Sequence, residues 1–255
     1  YTHLRSSEYD PYSLSDNAIY SFCKDREDGI WIGSYFGGVN YYPRSYTHFE
    51  KYYPKGEENS LHGKRVREFC RDNYGVLWIG TEDGGLNRFN LNTKEFSFFA
   101  PSAGFTNIHG LCLVDDKLWV GTFSKGLKII DTRTGTVLKT YQKNSSPRSL
   151  IDNSIFAICR TATGDIYLGT MFGLVKYNKQ SDDFDRIPEL NGKFVYDIKE
   201  DSGGNIWLAT YANGAYCYNV NDRKWKNYVH DEKDTTSLSY NKVSSIFEDS
   251  YHRIW

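Results

Sequence analysis

A short motif recurs along the whole chain: an apolar residue, an aromatic residue, a second apolar residue, then a small residue and Ser or Thr. Its five complete copies are Ile30–Ser34, Leu77–Thr81, Leu118–Thr122, Ile166–Thr170 and Ile206–Thr210, and a sixth begins at Ile254. The aromatic positions are spaced by 47, 41, 48, 40 and 48 residues, and they hold five of the six Trp residues of the chain. A repeat of this length restricts the chain to architectures in which one structural unit is built several times.

The residues around each motif predict four short strands per repeat. In the second copy, Asp72–Gly75 and Glu82–Gly85 have the composition of tight turns, and they separate the motif from apolar segments on either side. A third strand at Leu86–Asn90 and a fourth at Phe96–Phe99 complete the unit, and no helical segment lies between units. The sequence therefore predicts an all-β chain, a β-propeller of four-stranded antiparallel blades.

The aromatic strand, called the Trp strand below, is apolar at consecutive positions. Continuous apolar strands are typical of sheets covered on both faces, as blades are by their neighbours. A barrel requires alternation instead, and a sandwich does not repeat one four-strand unit five times. Both architectures are disfavoured.

The spacing of the copies predicts five whole blades, at about residues 13–53, 60–99, 106–141, 149–187 and 193–228. Matching Ser-Leu-Ser segments at 13–15 and 237–239 give partial blades at 1–12 and 237–255. The partial blade at 1–12 is predicted to be a fourth strand, and the partial blade at 237–255 is predicted to contain two strands. We therefore expect this chain to be a fragment of a longer array.

Composition excludes several classes of function. Lys and Arg number 31 against 32 Asp and Glu, so no surface excess of positive charge exists to neutralise the phosphates of a nucleic acid. Continuous apolar runs of about 18 residues, as a membrane span requires, are absent from the sequence. We expect contact with a membrane only through segments outside this chain.

The cysteines indicate free thiols. Cys23, Cys70, Cys112 and Cys159 share one repeat position, and equivalent points of adjacent blades lie beyond the Cα separation of about 7 Å that a disulfide allows. Cys217 has no matching partner. Pairs with zinc-ligand spacing are absent, so we expect five unpaired, buried apolar thiols and no metal or other cofactor.

Residues Lys64 to Asn90 resemble the repeat of the two-component regulator propeller family. That pattern runs roughly Asn-x-Val-x-x-Ile-x-Glu-Asp-x-x-Gly-x-Leu-Trp-Ile-Gly-Thr-x-x-Gly-Gly-Leu-x-Arg-Tyr/Phe-Asn/Asp. Here Lys64 replaces Asn and Arg71 replaces Glu, and Asn17–Tyr41 and Asn153–Asn178 also follow it well. Departures include Tyr167 for Trp, Ala209 for Gly and a shortened turn at Val114–Lys117.

The resemblance implies a periplasmic sensor, part of a seven-bladed ring in a hybrid two-component signalling protein of glycan-degrading bacteria. It further implies an oligosaccharide ligand, a homodimeric full-length protein, and a histidine kinase that lies outside this chain. The chain itself is then not an enzyme, and it has no catalytic residues.

A ligand site is expected on the face that carries the turn after each Trp strand, because four of these five turns present an aromatic ring on which a sugar can stack. The candidate residues on this face are Tyr35, Phe36, Lys64, Arg65, Glu82, Asp83, Phe123, Lys125, Phe172, Tyr211 and Asn213. Alternatively, the rings cap their own blades. Lys64 and Arg65, with Arg67 and His62, are suited to a uronate or sulfate, or they form a solvated patch balanced by Glu58 and Glu68.

Two other classes remain open: a propeller enzyme that cleaves polysaccharide, and a protein-interaction scaffold. The recurring acids Asp25, Asp72, Asp201 and Asp249 are candidates for glycosidase carboxylates. Their recurrence at one turn position favours a turn-forming role. Trp-Asp dipeptides are absent, which disfavours one scaffold class, and Gly126–Asp131 resembles the pyrroloquinoline-quinone type of repeat in one blade only.

Overall fold

The computed structural model describes residues 3–10, 12–44, 50–56, 58–99 and 105–255. Within them it contains nineteen strands, all in antiparallel sheets. The chain divides into two compact units, Tyr1–Leu61 and His62–Trp255. The predicted all-β propeller blades are confirmed.

The first unit contains a three-stranded sheet. Its strands are β1 (Ile19–Lys24), β2 (Ile30–Ser34) and β3 (Val39–Tyr42). Residues 45–49, within the blade predicted at about 13–53, lie outside the described residues. A fourth strand was predicted at 1–12, but residues 3–10 form no strand. Positions 1, 2 and 11 lie outside the described residues.

The second unit contains four four-stranded meanders within its described residues. The first sheet is β4 (Val66–Arg71), β5 (Val76–Thr81), β6 (Gly85–Asn90) and β7 (Phe96–Phe98). The second is β8 (Ile108–Val114), β9 (Lys117–Thr122), β10 (Leu127–Asp131) and β11 (Val137–Tyr141). The third is β12 (Ile155–Arg160), β13 (Ile166–Thr170), β14 (Gly173–Asn178) and β15 (Asp183–Arg186). The fourth is β16 (Val195–Glu200), β17 (Ile206–Thr210), β18 (Ala215–Asn219) and β19 (Lys224–Tyr228).

Two smaller elements accompany these blades. A 3-10 turn at Pro188–Leu190 leads from β15 towards β16. Near Trp255 the chain forms a narrow hairpin in which Phe247 and Trp255 exchange two backbone hydrogen bonds. The partial blade at 237–255 stays a prediction. No helix in the described part of the chain is long and apolar enough to cross a membrane.

The core of the second unit lies between neighbouring blades. Trp78 of β5 is fully buried and packs in one cluster with Ile108, Leu118 and Val120 of the next blade. Two equivalent clusters lie between the following pairs of blades, one with Trp119 and one with Tyr167. In the first unit the prediction of a strand covered on both faces is wrong, because Trp31 of β2 is 44% exposed.

The Gly of the motif allows this close packing between blades. A Cβ atom at Gly80, Gly121 or Gly169 would lie 2.6, 2.7 and 2.7 Å from Ile108, Ile155 and Val195, respectively. Each of these partners is the first residue of the next blade's innermost strand. The motif position must therefore be small, and Ala209 is its largest occupant.

The Thr of the motif closes the next turn. Thr81, Thr122, Thr170 and Thr210 are fully buried, and each donates its hydroxyl to a glycine carbonyl three or four residues later, at 2.6–3.0 Å. The same oxygens accept a backbone N–H from within that turn. A buried hydroxyl is stabilised in this way by two hydrogen bonds.

All five cysteines are described, and all are free thiols, as predicted. Cys70, Cys112 and Cys159 each pack against one of the clusters between blades. Cys23 is exposed, so the expectation of burial is wrong for this residue. It lies on β1, five of whose six residues are exposed.

Candidate functional site

The turn after each Trp strand and the connector into each blade lie at the same end of the sheets, here called the upper face. Backbone hydrogen bonds join them: the amides of Glu82, Phe123 and Tyr211 donate to the carbonyls of Arg65, Asn107 and Phe194 at 2.9–3.0 Å. The predicted grouping of these segments is confirmed.

A β-bulge recurs on the innermost strand of every blade, immediately below the upper face. The pairing register shifts between the first and third residues of β1, β4, β8, β12 and β16. The second residue is therefore the bulged one, and a bulge re-aims a side chain out of the regular alternation. The bulged residues are Tyr20, Arg67, His109, Phe156 and Tyr196.

In the second unit the bulged residues meet. The guanidinium of Arg67 donates to the Tyr196 hydroxyl at 3.0 Å and lies 5.2 Å from the centre of that ring, although 129 residues separate the two in sequence. Arg67 Nε also lies 3.4 Å from the Glu82 carboxylate, which Arg65 approaches at 3.8 Å. A fixed cation and a fixed anion are thus presented side by side.

His109 is buried in this cluster and keeps one nitrogen unpaired. Its Nε2 lies 2.7 Å from Asn107 Oδ1, and because an amide oxygen only accepts, Nε2 donates. Nδ1 is then an acceptor, and it has no partner among the described residues. Burial, assisted by the positive charge of Arg67, lowers the pKa of His109 to about 4, so the ring is neutral near pH 7.

Aromatic rings continue the cluster from His109. Phe156 lies 4.6 Å from the His109 ring and 4.4 Å from Phe194, and Phe194 stacks on Tyr211 at 5.5 Å. The ammonium of Lys242 lies 4.7 Å above the Tyr211 ring. We call this group the upper cluster, and its members are Arg67, Glu82, His109, Phe123, Phe156, Phe194, Tyr196, Tyr211 and Lys242.

The upper cluster includes three of the eleven predicted ligand residues. Phe123 contacts His109 and Phe156, Tyr211 packs on Phe194, and Glu82 pairs with Arg67. In the first unit, Tyr35 and Phe36 pack together at 4.2 Å, with Tyr20 beside Tyr35.

The remaining predicted residues do not join the upper cluster. Asp83 accepts the backbone amides of Lys64 and Arg65 at 2.9 and 3.1 Å, and these bonds lower the pKa of its carboxyl group, so its role is to shape the connector. Phe172 and Lys125 are exposed, and Asn213 is half-buried. His62 stacks on Phe98 at 3.7 Å rather than joining Arg67. All eleven residues stay predictions as ligand contacts.

Sequence reasoning missed His109, Phe156, Phe194, Tyr196 and Lys242. The available signal was chemical variety at one repeat position: the second residue of the innermost strand changes from Tyr to Arg, His, Phe and Tyr, while the residue before it is always Ile or Val. The bulge itself has no sequence signature here.

The recurring acids lie at the opposite end of the sheets and form turns, as predicted. Asp72 Oδ1 accepts the amides of Tyr74 and Val76 at 2.8 and 2.9 Å, and Oδ2 accepts the indole N–H of Trp78 at 2.9 Å. The same indole bond occurs at Asp25, Asp201 and Asp249. Among the described residues, no group of three His, Cys, Asp or Glu is placed to hold a metal ion.

Comparison with known proteins agrees with this architecture. The family described as two component regulator propeller matches residues 13–36, 60–83 and 189–212. A curated relative, Histidine kinase P4 of Formosa agariphila, is 24% identical over 145 residues, which are 57% of this chain and 8% of that protein.

Solved structures show the same fold. The extracellular domain of a hybrid two-component system of B. thetaiotaomicron is 22% identical with a TM-score of 0.52, and the match covers 93% of this chain and 36% of that one. PorZ, a surface component of the type-IX secretion system of Porphyromonas gingivalis, is 16% identical with a TM-score of 0.61, and the match covers 91% and 36%. This chain therefore spans about a third of these structures and less than a tenth of the curated relative.

Proposed function

Because the chain carries the repeats of the two-component regulator propeller family, we propose that it is the ligand-binding part of a hybrid two-component signalling protein. In this proposal it lies in the periplasm and passes the binding signal to a histidine kinase elsewhere in a homodimeric protein. Similarity to a histidine kinase and to an extracellular domain of such a system supports this assignment.

The proposed ligand is an oligosaccharide bound at the upper cluster. The observation that carries this proposal is the unpaired Nδ1 of buried His109, an acceptor that a sugar hydroxyl would satisfy once the side chains around it move aside. The Arg67–Glu82 pair supplies a donor and an acceptor next to it, and the side chains of Phe123 and Tyr211 are 38% and 47% exposed. Aromatic surfaces with a few fixed polar groups are typical of sites for such ligands.

The alternative of a polysaccharide-cleaving enzyme has less support. The carboxylates of Asp25, Asp72, Asp201 and Asp249 each accept turn amides and an indole N–H, so they are committed to the fold. A glycosidase requires two carboxyl groups directed at one bond.

Calorimetric titration with a panel of neutral and acidic oligosaccharides tests the proposal. For the oligosaccharide that binds, Phe123→Ala with Tyr211→Ala is expected to weaken affinity by about tenfold or more, because stacking is lost at both ends of the cluster. Phe172→Ala is the matched control, since that ring lies at the same face, is 51% exposed and is outside the cluster. Equal effects of the two variants, cleavage of the ligand, or no binding by any member of the panel would contradict the proposal.

A further inference from the structure

Trp119 breaks the pattern set by the other indoles of the Trp strands. Where an acid stands six residues before the Trp, its carboxylate accepts the indole N–H, at 2.7–2.9 Å in all four cases. In the blade of Trp119 that position is Leu113, because the turn between β8 and β9 is shortened to Asp115 and Asp116. The next blade avoids the problem, since Tyr167 has no indole.

The indole N–H of Trp119 is consequently buried without an acceptor among the described residues. The side chain is 3% exposed, so its indole N–H is shielded from bulk water. An unsatisfied buried donor costs about 1–3 kcal/mol and calls for a specific explanation.

A cleft of about 830 Å³ opens beside this indole, between the second and third blades of the second unit. Its lining includes Trp119, both tyrosines Tyr141 and Tyr177, and the two ends of the shortened turn, Val114 and Lys117. The Tyr177 and Trp119 rings form a T-shaped pair with their centroids 4.9 Å apart. The volume lies within the range of about 300–1,000 Å³ that is typical of small-molecule sites.

The charges at the cleft favour an anion. Arg160 pairs with Asp115 at 3.1 Å, and Lys176 pairs with Asp165 at 2.8 Å. Lys139 pairs with Asp182, which also accepts the Tyr177 hydroxyl at 2.7 Å. Lys117 and Lys179 also line the cleft, are exposed, and form no ion pair with any described residue. A fourth lining carboxylate, Asp185, pairs at 3.0 Å with Arg148 outside the lining. The lining thus holds five cations and four carboxylates, and Lys117 and Lys179 are its cations unpaired with any described residue.

We propose that this cleft, here called the Trp119 cleft, binds a uronate-type sugar whose carboxylate accepts the Trp119 indole N–H. The ligand carboxylate then accepts the Trp119 indole N–H as the Asp72 carboxylate accepts that of Trp78. Lys117 neutralises the ligand carboxylate through a charge-assisted hydrogen bond. The sugar ring lies against Tyr141 and Tyr177, and Asn178 and Gln180 face its hydroxyls. Because the indole nitrogen is buried, binding requires the long side chains at the rim to move aside. This site is separate from the upper cluster and does not depend on the function proposed for it.

The test follows the six indole N–H signals of the ¹⁵N-labelled chain by NMR during titration with sodium galacturonate. The Trp119 signal, assigned from its loss in Trp119→Phe, is expected to shift saturably. Galactose and the methyl ester of galacturonate keep the sugar ring and lack the charge. Neither is expected to shift the Trp119 signal. Lys117→Gln in this titration, and Trp119→Phe in calorimetry because it lacks the signal, should each weaken binding about tenfold, the loss of one charge-assisted hydrogen bond.

Several results would overturn the proposal: a Trp119 signal that does not move at tens of millimolar galacturonate, an equal shift with galactose or the ester, or unchanged affinity of Lys117→Gln. Lys117 is exposed, so its substitution keeps the test valid should Trp119→Phe not fold. The double variant Phe123→Ala, Tyr211→Ala should bind galacturonate normally here. Its result therefore separates failure of this site from failure of the upper cluster.

Discussion

The indole nitrogen of Trp78 donates a 2.9 Å hydrogen bond to the carboxylate of Asp72, six residues before it. Both residues are buried, with exposed fractions of 0% and 5%. The pair joins the turn that begins the Trp strand to the packing between blades. The side chain of Asp72 therefore shapes the hairpin and also accepts the hydrogen bond of the buried Trp78 indole.

Replacing Asp72 by Ala should strongly destabilise the second unit. The change leaves the indole of Trp78 and the amides of Tyr74 and Val76 without acceptors, and each buried donor costs about 1–3 kcal/mol. We expect a loss of about 3 kcal/mol or more in urea unfolding. Asp25→Ala is the matched control, because Trp31 is 44% exposed and water can replace the lost carboxylate. Equal losses would show that the indole bond is not the source of the effect.

Most of the blade structure followed from the repeated motif. The bounds predicted for β13 and β17 coincide with the observed strands, and β5 and β9 begin one residue earlier than the motif. Such strands are predictable because their turns have strong local chemistry, with Asp and Gly on one side and Gly on the other. The indole bond over six residues was not predicted, since the spacing reveals it only once the hairpin is folded.

The upper cluster was less predictable because it depends on contacts over long sequence distances. Arg67 meets Tyr196 only because four innermost strands converge, and the β-bulge that directs His109 adds a residue without altering the apolar pattern. Phe172 and Lys125 were predicted as ligand residues because their turns lie on the upper face. Residues on the same face do not necessarily lie close to one another.

Gly121→Ala tests the packing between blades. Its Cβ would lie 2.7 Å from Ile155 Cγ2, and Ile155 is fully buried, so we expect a loss of about 1–3 kcal/mol from overpacking. In a double-mutant cycle by denaturant unfolding, Ile155→Ala should relieve part of the clash, because it removes the Cγ2 contact and keeps Cβ at 3.1 Å. The double variant is then more stable than the sum of the two single losses predicts. Additive losses would contradict the contact.

The cysteines should separate into one reactive and four slow thiols. Cys23 is exposed, whereas burial raises the pKa of Cys70 to about 12, of Cys159 to about 11 and of Cys217 to about 11. Burial also raises the pKa of Cys112. Because the thiolate is the reacting species, an aromatic disulfide reagent should titrate one thiol quickly at pH 8 and five after denaturation. Cys23→Ser should abolish the fast phase, and a total of three would reveal a disulfide.

His109 should make the second unit less stable in mild acid. Its pKa is lowered to about 4 by burial and the charge of Arg67, below the value of about 6.5 expected in an unfolded chain. Between these two values the unfolded state binds more protons than the folded state, so the contribution of neutral His109 is complete above pH 6.5 and is lost as the pH falls towards 4. In His109→Gln this dependence is absent. Urea unfolding at pH 7 and pH 5 should therefore show a larger decrease in the free energy of unfolding for the wild type than for the variant. An equal decrease in both would mean that His109 is not held neutral by its burial.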